Sequence, residues 1–335
     1  MADYKVLVTG PSWIGDMVMA QSLFKLLHGK YPGVILDVLA PAWTLPVVER
    51  MPEVRRGIAF QSRHGKLDLT MRVKLGLQLK LENYDEAIII PRSLKSVIPS
   101  WVAGIKKRTG LTSQLGLINN TRQFVKDRHE LFVRRYLALA SEDAYKIDKE
   151  DIPKPQLRIR KENSEKLMHE NGLVKDGFVA FAPGAEFGPS KQWPAKHFAQ
   201  LASGLESRDL RSIIIGSDKE FQFAEEIISQ STAINIINLC GKTSLPEVID
   251  ILACARAAVS NDSGLMHLAY AAGTHVIALY GSSSPDYTPP LSDNSLILQE
   301  KMSCQPCFER TCRYGHYNCM NQLLPETLLG SKFLQ

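Results

Sequence analysis

The chain has 335 residues, 44% of them hydrophobic and 22% charged, with a formal net charge of +5. This length exceeds one typical core and suits two domains, while the composition excludes disordered, collagen-like and coiled-coil chains. No apolar run approaches the roughly 18 residues of a spanning helix, and the opening residues lead straight into a strand without a signal-like segment, so a cytoplasmic protein is expected.

In chain order, the apolar run Lys5–Val8 ends in Gly10, Pro11 and Ser12 and opens into an amphipathic stretch, Met17–Leu27. That reads as strand, tight turn, helix. Gly15 and Asp16 stand at the helix start, where backbone N–H groups and the positive end of the helix dipole favour negative charge. An acid there reads as a cap contributing roughly 0.3–1 kcal/mol, or as an ionised carboxylate aimed into a cleft. On the residues alone both readings stay open.

The alternation continues with strand Ile35–Leu39, helix Trp43–Arg50, strand Glu86–Ile90, helix Leu94–Ala103 and a longer closing helix over Lys126–Ala140. Short, nearly all-apolar strands alternating with helices specify a parallel sheet buried on both faces, the doubly wound α/β class. Lys95, Lys106, Lys107, Arg108, Arg122, Lys126, Arg128, Arg134 and Arg135 fall in one stretch of this half. They read as a solvated face or as a surface for an anionic partner such as phosphorylated lipid. No helix-turn-helix or RNP-type motif is present, so nucleic acid is not expected.

A charged, proline-containing linker over 144–157 ends the first half, and the pattern restarts with strands Phe178–Ala182, Ser212–Gly216, Ala257–Ser260 and His275–Tyr280. Two Rossmann-like halves place ligands at the carboxyl ends of their strands, and the active site is expected in a central cleft that the two sheets face.

Neither half carries G-x-G-x-x-G or G-x4-G-K-[ST], and H-E-x-x-H, G-x-S-x-G and a D-x-D pair are also missing. Hydride transfer on a dinucleotide, P-loop chemistry and a metal-bridged diphosphate therefore lose their main support. The second half offers other parts for a phosphate. Gly184 opens a long loop of small residues that ends in Lys191, which reads as a diphosphate contact or as a solvated lysine. After the third strand of this half, Asp262 or Ser263 can cap a helix, with the Ser263 and Gly264 amides turned toward an anion. His267, one turn on, faces the same mouth or packs inside. A diphosphate in one half and a carboxylate base in the other describe metal-independent group transfer from an activated donor.

Cys304, Cys307, Cys312 and Cys319 crowd into one segment with His316. The spacing lacks a second Cys-x2-Cys pair, which leaves reduced thiols or structural zinc as readings, with no metal needed for the chemistry.

The residues Pro11 to Met17, Pro183 to Pro194 and Asn261 to His267 resemble the bacterial ADP-heptose:lipopolysaccharide heptosyltransferases, glycosyltransferase family 9, nearest the members that add the second heptose. Ala40–Trp43, Met51–Val54, Ala103–Ile105 with Arg108–Gly110, and Cys304 to Met320 resemble the same group, so the likeness covers nearly the whole chain in order. It implies a GT-B fold: residues 1–155 an acceptor domain, 156–322 an ADP-heptose domain, and 323–335 a segment packing back on the first domain. It also implies an inverting transfer of L-glycero-D-manno-heptose to the heptosyl-Kdo2-lipid A inner core. By the same resemblance Asp16 is the general base, and Gly15, Gly184, Lys191, Glu220, Asp262, Ser263, Gly264 and His267 bind the donor. Ser93, Lys95 and Arg108 suit the anionic groups of the acceptor. No cofactor is implied beyond the donor substrate ADP-heptose. Work at the cytoplasmic face of the inner membrane, against an anionic lipid surface, is expected. The competing expectations are another transferase of the family, a nucleotide-sugar binding protein without transfer activity, and a zinc-organised interaction module.

Overall fold

The computed structural model describes residues 4–60, 68–112, 115–121 and 130–335. The chain divides into two compact units, Met1–Pro155 and Gln156–Gln335.

The first unit runs β1 (Lys5–Thr9), α1 (Ile14–Lys30), β2 (Ile35–Pro41), α2 (Leu45–Val48), β3 (Arg56–Phe60), α3 (Leu69–Lys80), β4 (Glu86–Ile89), α4 (Leu94–Val102), β5 (Lys107–Gly110), β6 (Asn120–Thr121) and α5 (Arg134–Leu137). Its six-stranded sheet has the order β3-β2-β1-β4-β5-β6, and every pairing is parallel. The central strands contribute Val6, Leu7, Val8, Ala87, Ile88 and Ile89, all shut off from solvent, as a sheet covered on both faces requires. Two acids are buried in this sheet, Asp37 of β2 and Glu86 of β4. Asp37 of β2 lies 2.5 Å from Arg55 Nη2 and 3.1 Å from Arg56 Nε, and it accepts the Tyr84 hydroxyl at 2.5 Å. Burial works to raise the Asp37 pKa, but the bonds from Arg55 and Tyr84 and the two guanidinium charges outweigh it and hold the carboxyl below its usual value.

The second unit runs α6 (Lys161–Glu170), β7 (Phe178–Ala182), α7 (Ala195–Glu206), β8 (Arg211–Ile214), α8 (Phe221–Gln230), β9 (Ile236–Asn238), α9 (Leu245–Leu252), β10 (Ala257–Asn261), α10 (Gly264–Ala271), β11 (His275–Tyr280), β12 (Ser295–Gln299), α11 (Asn318–Asn321) and α12 (Pro325–Leu329). Its order, β12-β11-β10-β7-β8-β9, is again all parallel and repeats that of the first unit. In such sheets ligands bind where the strand order reverses. Those points are the carboxyl ends of β1 and β4 in the first unit and of β7 and β10 in the second.

Two expectations change. The helix over Lys126–Ala140 shrinks, in its described part, to α5: the Leu139 and Ala140 amides bond to Tyr136 and Leu137, three residues back, which tightens and ends the helix. Its earlier residues, with Arg122, Lys126 and Arg128 of the basic stretch, lie outside the described residues. Residues 323–335 belong to the second unit, not the first. Leu323, Leu328 and Leu334 join Trp193, Phe198 and Leu205 in its core, and the Trp193 indole donates to the Leu323 carbonyl at 2.8 Å. α12 packs beside α7, where the Leu329 side chain fills the space left by Gly204, and Phe333 stacks on His275. Among the described residues no helix is long and apolar enough to cross a membrane.

Candidate active site

In the first unit the strand-order reversal lies beside a cavity of about 150 Å³. The turn after β1 supplies Gly10 and Ser12, and the turn after β4 supplies Pro91, Ser93 and, entering α4, Lys95 and Ser96. Trp43, Phe60 and Arg72 close it from neighbouring elements. Trp43 is fixed by its indole N–H, which donates to the Ser12 carbonyl at 2.8 Å. Arg72 is buried, stacks 4.2 Å over the Phe60 ring and donates to the Lys95 carbonyl at 2.6 Å. Burial pulls its pKa down. The Thr9 hydroxyl oxygen, also in the wall, is buried with no hydrogen-bond partner among the described residues. Cations, hydroxyls and two aromatic rings together form a lining suited to an anionic sugar.

Asp16 stands four residues beyond Ser12, half-buried in the first turn of α1. The residue preceding the helix is Trp13, which makes no side-chain capping bond. Gly15 is buried as the second helical residue, not as the tight turn itself. Ser93 and Lys95 thus share the cavity, and Ser93 Oγ lies 2.6 Å from Ser96 Oγ. Arg108 does not join them. Its guanidinium donates to the carbonyls of Ile105 and Leu117, 2.5 Å from the latter, so its side chain clamps a loop. Others of the basic stretch are also engaged: Lys107 pairs with Glu86 at 2.8 Å and Arg134 with Glu130 at 3.0 Å.

In the second unit Asn261, the last residue of β10, bonds across the reversal to the loop after β7. Its amide donates to the Pro183 carbonyl at 2.7 Å, and its carbonyl accepts the Trp193 N–H at 3.2 Å. This clamp brings Lys191 to within 2.5 Å of Asp262 Oδ2. Asp262 is therefore an ion-pair partner and not the helix cap. Ser263 precedes α10 without a side-chain capping bond, and Gly264 is its first residue, so the helix start is built from backbone amides, as anion sites are. His267 is buried on α10 with Nδ1 3.2 Å from the Tyr270 hydroxyl. Burial pulls its pKa down to about 4; Asp262 opposes this and Lys191 adds to it. The imidazole is thus neutral near pH 7 and offers a hydrogen bond, not a charge. Glu220 packs beside Gly184, whose Cβ would lie 3.4 Å from its carboxyl carbon, while its Oε2 accepts the Ser217 N–H at 2.8 Å in a capping box.

The cysteine segment has a place here that its spacing did not suggest. Ser190, next to Lys191, donates its N–H to the Arg310 carbonyl at 3.2 Å and its hydroxyl to the Glu309 carbonyl. On the neighbouring turn the Phe308 N–H bonds to Ser282 at 2.8 Å, and Gln305 donates to Gly281 at 2.6 Å. Residues 305–310 thus brace the loop that carries Lys191. Gly188 permits this: its φ is +150°, and a Cβ there would lie 2.4 Å from the Arg310 carbonyl oxygen. All four cysteines are free. Burial, then the neighbouring thiols of Cys307, Cys304 and Cys312, push the Cys319 thiol up. Among the described residues no group of three His, Cys, Asp or Glu side chains is arranged to hold a metal ion. Sequence reasoning also missed Arg72 and Phe60, whose segments carry no motif and only their placement in the cavity wall marks.

Two doubly wound units with their polar residues gathered at both strand-order reversals are those of a GT-B glycosyltransferase. Residues 72–318 match glycosyltransferase family 9 (heptosyltransferase). The chain is 37% identical to lipopolysaccharide heptosyltransferase 2 of Escherichia coli K12, over 97% of this chain and 96% of that protein. It is 42% identical to lipooligosaccharide heptosyltransferase 2 of Haemophilus influenzae, over 88% of each. The solved structure of E. coli ADP-heptose LPS heptosyltransferase II superposes with a TM-score of 0.85 at 36% identity, covering 97% of this chain and 96% of that one. The chain belongs to glycosyltransferase family 9, the heptosyltransferases.

Proposed function

We propose that this chain adds the second heptose of the lipopolysaccharide inner core, moving it from ADP-heptose to a heptosyl-Kdo2-lipid A acceptor. The observation that carries the donor half is Lys191 held beside the uncapped N-terminus of α10 at the β7/β10 reversal. A lysine and a set of helix-start amides together neutralise a diphosphate. In the proposed reaction the acceptor hydroxyl attacks the anomeric carbon as the bond to the ADP oxygen breaks. Asp16 takes the hydroxyl proton, and Lys191 with the amides of residues 263–266 receives the charge of the leaving diphosphate. Attack opposite the leaving group inverts the anomeric centre. Ser93, Lys95 and Arg72 face the anionic groups of the acceptor in the cavity of the first unit, and the acceptor's lipid puts the enzyme at the anionic cytoplasmic face of the inner membrane.

The test is product mass. Purified enzyme with ADP-heptose is offered acceptors carrying no heptose or one, and added heptose on the second acceptor alone is expected. Transfer only to the heptose-free acceptor would overturn the assignment in favour of the first addition.

A further inference from the structure

Helix α3 is apolar on two faces: Leu75 and Leu79 pack into the core of the first unit, as the single stripe of a helix on a soluble domain does, and a second apolar row faces outward. Its buried residues are Arg72, Gly76 and Leu79. Its outer face carries Leu69 (52% exposed), Val73 (36%) and Leu77 (56%), and Leu81 (81%) continues the same four-residue spacing just past its end. The inward face is already accounted for. Arg72 lines the cavity, and Gly76 lets α4 approach so closely that a Cβ there would lie 2.5 Å from Val102 Cβ and 2.8 Å from the Pro99 carbonyl oxygen. The partner helix adds exposed Leu94 and Trp101, the latter 51% exposed.

Acids stand only at the two ends of the row, Asp68 before Leu69 and Glu82 after Leu81, and Glu82 is paired with Arg55 and Arg56. Neither Leu69–Lys80 nor Leu94–Val102 contains an Asp or Glu, while Lys74 and Lys80 are exposed on α3 and Lys106 is exposed shortly after α4. Exposed leucines beside lysines, with a tryptophan on the adjoining helix, are the composition of elements that lie at the headgroup boundary of a bilayer.

We propose that the α3–α4 pair docks the first unit on an anionic lipid surface, its leucine row entering the acyl boundary and Lys74 and Lys80 meeting headgroup phosphates. This deepens the function proposed above and rests on it only for the acceptor. The same two helices supply Arg72, Lys95 and Ser96 to the cavity, so docking through them would bring that cavity to the surface where a lipid-anchored sugar is found.

The full chain is floated with acceptor-free vesicles rich in phosphatidylglycerol, or of phosphatidylcholine alone. The parent is expected to bind the anionic vesicles, Leu77→Glu/Leu81→Glu to bind them at least about tenfold more weakly, and Lys74→Glu/Lys80→Glu to lose the preference for anionic lipid. Because Leu77 and Leu81 are exposed, the first variant is expected to keep full turnover on a deacylated, soluble acceptor while slowing on a vesicle-embedded one. Failure of the parent to float, or undiminished flotation of Leu77→Glu/Leu81→Glu, overturns the proposal. So does sedimentation showing a parent dimer that this variant dissolves, which would make the face a contact between copies. Flotation as expected with no heptose transferred to either acceptor would instead sink the proposed function and leave the docking surface standing.

Discussion

The Lys191 ammonium lies 2.5 Å from Asp262 Oδ2, and the two side chains are 15% and 5% exposed. A diphosphate reaching Lys191 has to compete with that carboxylate, and in a site this dry the competition is strong. Asp262→Asn is therefore expected to bind ADP about tenfold more tightly, a gain of about 1.4 kcal/mol, and Lys191→Ala about tenfold more weakly. Titration calorimetry with ADP reads both. Unchanged affinity in Lys191→Ala would remove the lysine from the diphosphate site.

Asp16 is expected to act on the acceptor and not on the nucleotide. Asp16→Asn should lower turnover by about 10²- to 10⁴-fold, the usual worth of a positioned general base, and leave ADP affinity within about twofold. Single-turnover assays beside the calorimetry separate these quantities. Turnover within about tenfold of the parent would exclude Asp16 as the base.

Arg72 is expected to govern the acceptor alone. Arg72→Lys keeps the charge but loses the planar stack on Phe60 and the bond to the Lys95 carbonyl. An acceptor KM raised about tenfold with an unaltered donor KM is predicted from initial rates. Equal effects on both substrates would point to general damage to the first unit.

The buried His267 predicts an acid-side loss of stability. Its folded pKa, about 4, lies below the ordinary 6.5, so the unfolded chain binds the proton first. The folded state is undisturbed above pH 6.5 and loses roughly 3 kcal/mol as the pH falls from 6.5 to 4. His197, whose pKa is also lowered by burial, adds to the decline in the same direction. Urea midpoints across this window should fall less steeply in His267→Asn, and an identical slope would contradict the assignment.

Gly188→Ala tests the brace on the donor loop. The added methyl would meet the Arg310 carbonyl, forcing residues 187–191 and 305–310 apart. A stability loss of about 1–3 kcal/mol and weaker ADP binding are expected. Weaker stability with parental ADP affinity would show that the brace does not position Lys191.

What could be read from the sequence followed from burial on two faces. Val6–Val8, Ala87–Ile89 and Phe178–Ala182 are strands that nothing polar interrupts, and the residues closing them, Gly10, Ser93 and Gly184, fall at the two reversals. β3 was missed because it is an edge strand with an exposed Arg56 and no apolar run. α3 was missed for a different reason: Leu75 and Leu79 inside, with Leu69, Val73 and Leu77 outside and Arg72 buried, leave no single apolar stripe to read. Arg108 shows what spacing does not reveal: a basic residue near the strand ends reads as a ligand contact, and its bonds to two loop carbonyls are visible only in the fold.

Trp193 has a practical consequence. The chain has four tryptophans; Trp13, Trp43 and Trp101 are exposed in the first unit, and Trp193 is wholly buried in the second, two residues past Lys191. Its emission should sit at shorter wavelength and resist an aqueous quencher that silences the other three. Each half of the enzyme thus carries its own optical label, and nucleotide arrival at the second half can be followed without attaching a dye.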